Sequence, residues 1–129
     1  NHTSDKCWRG CGLIGDFTHI FWDCPKLSTY WRGIPKEINN CLSITIPLEP
    51  SFIILGIFQN KIQDHSKIYI LKILLVLAKK MITVSWLKPQ PPTISQWKNR
   101  VREVYHMEQI TAKLQMKSDI FIEKWSSIQ

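Results

Sequence analysis

The chain has 129 residues, of which 44% are hydrophobic and 11% aromatic, so it has enough apolar material for a folded core and is not a disordered tail. Its formal net charge of +7 at pH 7 favours an anionic partner, with nucleic acid first and a membrane surface second. The alternative is that this charge is only a solvated surface, since many basic proteins bind no anion.

Three cysteines and one histidine near the start of the chain form the pattern C-x3-C-x7-H-x4-C. They are Cys7, Cys11, His19 and Cys24. Three thiols and one imidazole at such short spacing are the ligand set of a tetrahedral zinc site. Because four protein ligands leave no position for water, we expect one structural zinc ion. It should supply most of the folding free energy of a zinc knuckle spanning residues 1–25.

The four cysteines of the chain also allow a second interpretation, two disulfide bonds in a secreted domain. Cys41 argues against it because this residue stands alone and far from the others, and we expect a buried thiol there that behaves as a small hydrophobic side chain. The glycines favour the metal site. Gly10, Gly12 and Gly15 lie where ligand loops need tight turns or positive φ angles.

The rest of the chain, residues 26–129, predicts a small domain of about four helices with the knuckle docked on it as one unit. Apolar residues recur at helical spacing over residues 25–40 and predict an amphipathic helix, whose middle Pro35 should weaken. Residues 51–58 form a short apolar run. With no second strong strand to pair with it, we expect a loop packed on the helices.

Residues 68–87 are apolar on almost all sides and predict the central helix of the core. A membrane-spanning helix needs about 20 apolar residues with few charges, and Lys72, Lys79 and Lys80 interrupt this segment. Because Lys72, Lys79 and Thr83 fall close to one stripe, we expect a core helix with one solvated face.

Two further helices complete the prediction. The sequence from Thr93 to Gln96 matches a capping box, from which a long helix should run to about residue 117. A last short helix should begin at Ser118 and Asp119 and continue through Trp125. The predicted buried face of the long helix consists of Ile94, Trp97, Val101, Val104 and Tyr105.

No catalytic constellation is evident in the sequence. The ten acidic residues form no convincing pair with a histidine or with each other, and there is no phosphate-binding loop or nucleophile elbow. His65 and His106 are isolated, and we expect both to be surface or packing residues. These observations predict a non-catalytic binding module.

Aromatic and basic residues provide candidate contacts to nucleic acid. In the first ligand loop, Trp8 could stack on an unpaired base and Arg9 could contact phosphate, although Trp8 could equally pack inward. Of Phe21 and Trp22 we expect one ring to face inward and the other, taken here as Trp22, outward. The remaining candidates, for which a solvated helix surface is the alternative, are Lys26, Lys79, Lys80, Lys88, Lys98, Arg100 and Arg102.

Several motifs resemble, in the same order, the C-terminal cysteine-rich region of vertebrate non-LTR retrotransposon (LINE-type) polyproteins, and the resemblance covers essentially the whole chain. They are Cys7-Trp8-Arg9-Gly10-Cys11-Gly12, Ile14-Gly15, His19, Phe21-Trp22-Asp23-Cys24-Pro25-Lys26, Trp31, Leu55-Gly56-Ile57, Ala78-Lys79-Lys80, Trp86, Pro91-Pro92-Thr93-Ile94, Trp97, Tyr105-His106-Met107-Glu108 and residues 121–125.

The resemblance implies a parent protein in which an endonuclease and a reverse transcriptase precede this tail. Such a parent copies its own RNA at a nicked chromosomal site, by target-primed reverse transcription. The implied partners are RNA, DNA second, and the body of the reverse transcriptase rather than a membrane. The implied location is a cytoplasmic ribonucleoprotein and the nucleus. The alternative hypothesis is a protein-interaction module, which includes the case of a host-adopted fragment, with Met107 or Met116 facing the partner.

Overall fold

A computed structural model describes residues 6–7, 9–13, 15–16, 18–58, 67–85 and 88–128. In these ranges the chain is mostly helical, without β-strands, and the cysteine and histidine ligands gather near the N-terminus, as predicted. A π-helical turn (His19–Asp23) and a 3-10 turn (Pro25–Leu27) precede five α-helices. These are α1 (Ser28–Leu42), α2 (Pro50–Ile53), α3 (Ile68–Val84), α4 (Ile94–Leu114) and α5 (Ser118–Trp125).

Helix α1 forms because one of its faces is apolar at helical spacing, and it buries that face completely. The buried side chains are Tyr30, Trp31, Ile34, Pro35, Ile38 and Leu42. Pro35 lies inside the helix without ending it, and the α-helix begins at Ser28 rather than at residue 25. At its C-terminus Ser43 adopts a left-handed conformation and its N–H donates to the carbonyl of Asn39 at 2.9 Å.

The apolar run at 51–58 packs on the helices as predicted, but it begins with the single helical turn of α2 instead of a plain loop. Phe52 and Ile53 are fully buried, and the ring of Phe52 lies 4.7 Å from that of Phe58. Pro50 favours this turn because proline suits the first position of a helix, where its missing N–H costs nothing.

Helix α3 lies at the centre of the core and has one solvated face, as predicted. Its buried residues are Ile70, Leu71, Leu74, Leu75, Leu77, Ala78 and Ile82. Lys72 and Thr83 are exposed, whereas Lys79 is half-buried and its Nζ donates to the carbonyl of Ile54 at 2.8 Å. None of the helices in the described ranges has the length and apolarity that a bilayer-spanning segment needs.

Helix α4 begins with the predicted capping box. The amide of Gln96 donates to Thr93 Oγ1 at 3.1 Å, and the amide of Thr93 donates to Gln96 Oε1 at 3.0 Å. The helix ends at Leu114, earlier than predicted, because Met116 takes a positive φ of 57° and the amide of Lys117 turns back to the carbonyl of Ala112 at 2.7 Å.

The predicted buried face of α4 is correct in position but not in depth. Trp97 alone among the five predicted residues is fully buried, and its Nε1 donates to the carbonyl of Leu74 at 3.0 Å. Ile94, Val101, Val104 and Tyr105 are only half-buried. Helix α5 has the predicted bounds. It contacts α3 and α4, and its buried residues Phe121 and Trp125 lie close to the ring of Tyr105.

Trp31 of α1 connects the cysteine-rich segment to the helices. Its Nε1 donates to the carbonyl of Phe21 at 2.7 Å, and its ring centroid lies 5.3 Å from that of Trp22. The side chains of Cys7 and Cys24 belong to the same buried cluster as Trp31 and the buried residues of α3. The metal-ligand segment is therefore packed directly on the helical core.

Candidate metal centre

The four predicted ligands converge on one point. The ligand atoms of Cys7, Cys11, His19 and Cys24 all lie within 4.8 Å of one another. Cys7 Sγ is 3.8 Å from Cys24 Sγ, and Cys11 Sγ is 3.1 Å from His19 Nε2. Two sulfurs bound to a tetrahedral zinc ion, each at about 2.3 Å, stand about 3.8 Å apart, so the donor set fits such an ion.

The first two ligands are presented by a tight loop. The amide of Cys7 donates to the carbonyl of Leu13 at 2.8 Å, and the amide of Gly10 donates to the carbonyl of Cys7 at 3.1 Å. Gly10 and Gly12 have φ angles of +77° and +87°, which only glycine adopts without strain. Gly15 serves differently, because a Cβ there would lie 2.9 Å from the Cα of Cys7.

The other two ligands stand at the ends of one π-helical turn. The amide of Cys24 donates to the carbonyl of His19 at 2.9 Å, the i to i+5 bond that defines this turn. In an α-helix, residues five apart point about 140° away from each other, so the wider turn helps both side chains face the same point. The amide of His19 is held by Asp16 Oδ1 at 2.8 Å.

Burial and hydrogen bonding act in opposite directions on two of the thiols. Burial raises the pKa of the Cys24 thiol, although hydrogen bonds from the Lys26 backbone and from Arg9 oppose this rise. For Cys11 desolvation is again the largest influence and works upward, but hydrogen bonds from the Leu13 backbone and from the Cys24 and Cys7 thiols together lower the pKa. Since a metal ion binds the thiolates, its uptake releases protons.

Arg9 is not a surface residue, contrary to its predicted contact with phosphate. Its side chain is 2% exposed and its Nη1 lies 3.8 Å from Cys7 Sγ. The Nε and Nη2 atoms have no hydrogen-bond partner among the described residues. A guanidinium in this position faces the ligand cluster and could reach a phosphate only if the loop rearranged.

The aromatic contacts also differ from the prediction. Phe21 and Trp22 are both half-buried and both pack against the core, whereas the prediction had one ring facing inward and the other outward. The ring of Trp22 contacts the ring of Trp31, and Trp22 is therefore only partly accessible to solvent. Trp8 lies outside the described residues, as does His65, and His106 is exposed beside the ring of Tyr105.

Four of the predicted basic residues are divided between two clefts. Lys88 and Arg100 line a cleft between the C-terminal end of α3 and the first turns of α4. Lys98 and Arg102 line a second cleft, with no lining residue in common with the first. Both clefts are lined by α4, but these four residues do not share one cleft as a phosphate-tracking surface.

Several of these cations are already engaged. Lys98 Nζ pairs with Glu37 at 2.6 Å, and Arg100 pairs with Glu103 at 2.9 Å. Arg102 Nη1 donates to Asn99 Oδ1 at 2.8 Å. Lys26, Lys80 and Lys88 are exposed, and they form no ion pair with any other residue in the described ranges.

Cys41 is half-buried rather than buried, at the cleft that Glu37 and Lys98 also line. Burial raises the pKa of its thiol and the carboxylate of Glu37 adds to the rise, while Lys98 opposes it. Cys41 is not among the clustered ligands, in agreement with its isolated position in the sequence.

Two basic residues of α1 were not among the predicted contacts. Arg32 and Lys36 are exposed and stand one helical turn apart, on the side of α1 away from its buried face. Their i, i+4 spacing opposite the apolar stripe is the signal that could have identified them.

No protein-family model matches this chain.

Proposed function

We propose that this chain is a zinc-dependent nucleic-acid-binding module, RNA before DNA, that belongs to the C-terminal part of a non-LTR retrotransposon reverse transcriptase. The convergence of three thiols and one imidazole within 4.8 Å carries the proposal. The net charge of +7 and the ordered motifs that resemble such polyproteins support it. In this role the chain has no catalytic residue of its own and supports target-primed reverse transcription by holding the template.

Zinc is the metal that this donor set favours. Thiolate and neutral imidazole are soft to borderline donors, and closed sites with three cysteines and one histidine are typical of structural zinc. When bound, the ion supplies crosslinking between the loop at Cys7 and Cys11 and the π-helical turn at His19 and Cys24. Other side chains of the chain then contact the RNA, because all four protein donors are used at the metal.

Exposed cations after the last ligand are candidate contacts for a single strand. They are Lys26 on the 3-10 turn and Arg32 and Lys36 on α1, and Trp22 lies close to Lys26 in the sequence. Cations of this kind hold phosphates without reading sequence, while an aromatic ring offers a face for base stacking. The cleft with Lys88 and Arg100 provides a second phosphate contact.

The setting implied by this function is a ribonucleoprotein that forms in the cytoplasm and acts in the nucleus. The partners are the element's RNA, DNA at the insertion site, and the body of the reverse transcriptase.

The test is a fluorescence-anisotropy titration of the chain with single-stranded RNA at two salt concentrations, before and after zinc chelation. We expect the affinity to fall steeply with salt, because displaced counterions drive phosphate binding, and to collapse on chelation. Lys26→Glu with Lys36→Glu should weaken binding more than the matched reversal Lys72→Glu with Lys113→Glu. Absence of binding at low salt by a folded, zinc-loaded chain would exclude the RNA function.

A second candidate function, docking of a protein partner, is favoured by one observation. The outer face of α4 and the turn after it expose large apolar residues: Met107, Ile110, Leu114 and Met116, the last at 90% exposure. Solvent-exposed apolar residues grouped in this way are typical of interaction surfaces. Binding to the reverse transcriptase or a host protein that persists at high salt, with no RNA affinity, would select this function.

A further inference from the structure

Arg9 is a buried cation that forms no ion pair with a carboxylate in the described ranges. Its side chain is 2% exposed, and two of its three nitrogens, Nε and Nη2, have no hydrogen-bond partner among the described residues. The third, Nη1, donates to Cys7 Sγ at 3.8 Å. A guanidinium that has lost its water in this way is unfavourable unless negative charge lies next to it.

The charge of the ligand cluster depends on whether it holds a metal. With protonated thiols and a neutral imidazole the cluster is uncharged. With a divalent ion and three thiolates it carries one net negative charge. Arg9 Nη1 donates to Cys7 Sγ, and Cys7 Sγ is itself 3.8 Å from Cys24 Sγ. The guanidinium therefore contacts one of the three sulfurs on which that negative charge would reside.

We propose that Arg9 is the neutralising partner of the metal-loaded cluster, a residue that binds neither RNA nor the metal but makes metal uptake more favourable. The inference rests on the proposed zinc site. The buried positive charge destabilises the metal-free cluster and stabilises the loaded one, and Nη1 donates to the sulfur of Cys7, one of the proposed ligands. Partners of metal ligands typically change metal affinity 10- to 100-fold when they are removed.

The test compares the zinc affinity of the wild-type chain with that of Arg9→Met, Arg9→Lys and Lys113→Gln, by competition with a chromophoric chelator. Arg9→Met keeps an apolar stem of similar length without the charge, and we expect it to weaken zinc binding about 10- to 100-fold. Arg9→Lys keeps the charge and should recover most of the affinity. Lys113→Gln removes one exposed charge from α4 and should leave the affinity unchanged.

A second measurement separates charge from packing. If Arg9 acts by charge, Arg9→Met lowers the melting temperature of the zinc-loaded chain but not that of the metal-free chain. The cobalt-substituted chain should also shift its thiolate-to-metal charge-transfer band in Arg9→Met, because the sulfurs lose a hydrogen-bond donor. A zinc affinity of Arg9→Met within twofold of wild type, or equal losses in both melting temperatures, would overturn the role of Arg9. A wild-type chain that binds no zinc would overturn the proposed function as well.

Discussion

At the scale of single residues, several polar side chains are held by one well-placed backbone or carboxylate partner. Tyr30 is buried in the core and its hydroxyl donates to the carbonyl of Ala78 at 2.7 Å. Tyr69 donates to Glu108 Oε1 at 2.9 Å, and Trp125 Nε1 donates to the same oxygen at 3.2 Å. Glu108 thus joins α3, α4 and α5. Because each tyrosine hydroxyl donates its hydrogen bond only while it keeps its proton, the structural roles of Tyr30 and Tyr69 depend on pH.

The protonation of Tyr69 predicts a loss of stability at alkaline pH. Burial, followed by the hydrogen bond and negative charge of Glu108, raises its pKa to about 12. The pKa is about 10 in the unfolded chain, so the contribution is fully present below pH 10 and is lost as the pH rises towards 12. We expect the free energy of unfolding, measured by urea titration between pH 8 and 12, to fall over this window.

The matched variant for that measurement is Tyr69→Phe, which lacks the titrating hydroxyl. Its stability should decline less between pH 10 and 12 than that of the wild type. Burial also raises the pKa of Tyr30, so a residual decline is expected in both proteins. An identical pH profile for the two proteins would contradict a role of the Tyr69 hydroxyl.

At the scale of elements, the start of α4 is decided by local chemistry. The capping box between Thr93 and Gln96 provides side-chain acceptors for two backbone amides at once, directly after the proline-rich segment that separates α4 from α3. Because α4 has only two buried residues, Trp97 and Ala112, whereas α3 has seven, it depends on such local interactions more than α3 does. The cap is therefore a measurable part of its stability.

Thr93→Ala should destabilise the chain by about 1 kcal/mol, because the amide of Gln96 loses its acceptor. Urea denaturation followed by circular dichroism measures the change. Ser95→Ala is the control, since Ser95 is exposed in the first turn of α4 and makes no side-chain hydrogen bond with another described residue. Equal stability of Thr93→Ala and wild type would show that the cap is not needed.

At the scale of the whole molecule, the metal centre and the helices share one core. Cys7 and Cys24 contact the cluster that includes Leu27 and Trp31, while α3, which is distant from the ligands along the chain, supplies more of its buried residues than any other described helix. Removal of the proposed zinc ion should therefore change the surroundings of Trp31 and leave part of the helical structure in place.

Cys24→Ser and Cys41→Ser test this arrangement against each other. We expect Cys24→Ser to lose stoichiometric zinc and to shift tryptophan fluorescence, because it removes a ligand that is 1% exposed. Cys41→Ser should retain one zinc ion, since Cys41 lies outside the cluster. Metal content by mass spectrometry and fluorescence provide the readouts. Loss of zinc from Cys41→Ser, or its retention by Cys24→Ser, would contradict the assigned ligand set.

The sequence by itself determined the features that depend on neighbours along the chain. The spacing of Cys7, Cys11, His19 and Cys24 predicted the ligand cluster, because short loops are enough to bring together residues that lie this close in the sequence. The capping box at Thr93 and the bounds of α5 were likewise predicted correctly, because they depend on a few consecutive residues and on helical periodicity.

Only the tertiary structure decided how deeply each side chain lies and which charges meet. Arg9 reads as an exposed cation in the sequence, yet the folded loop turns it against the sulfurs. The basic residues of α4 read as one surface, yet neighbouring elements divide them between two clefts and pair Lys98 with Glu37 of α1. Burial and ion pairing depend on elements that are distant in the chain and adjacent in space, and local periodicity carries no information about that adjacency.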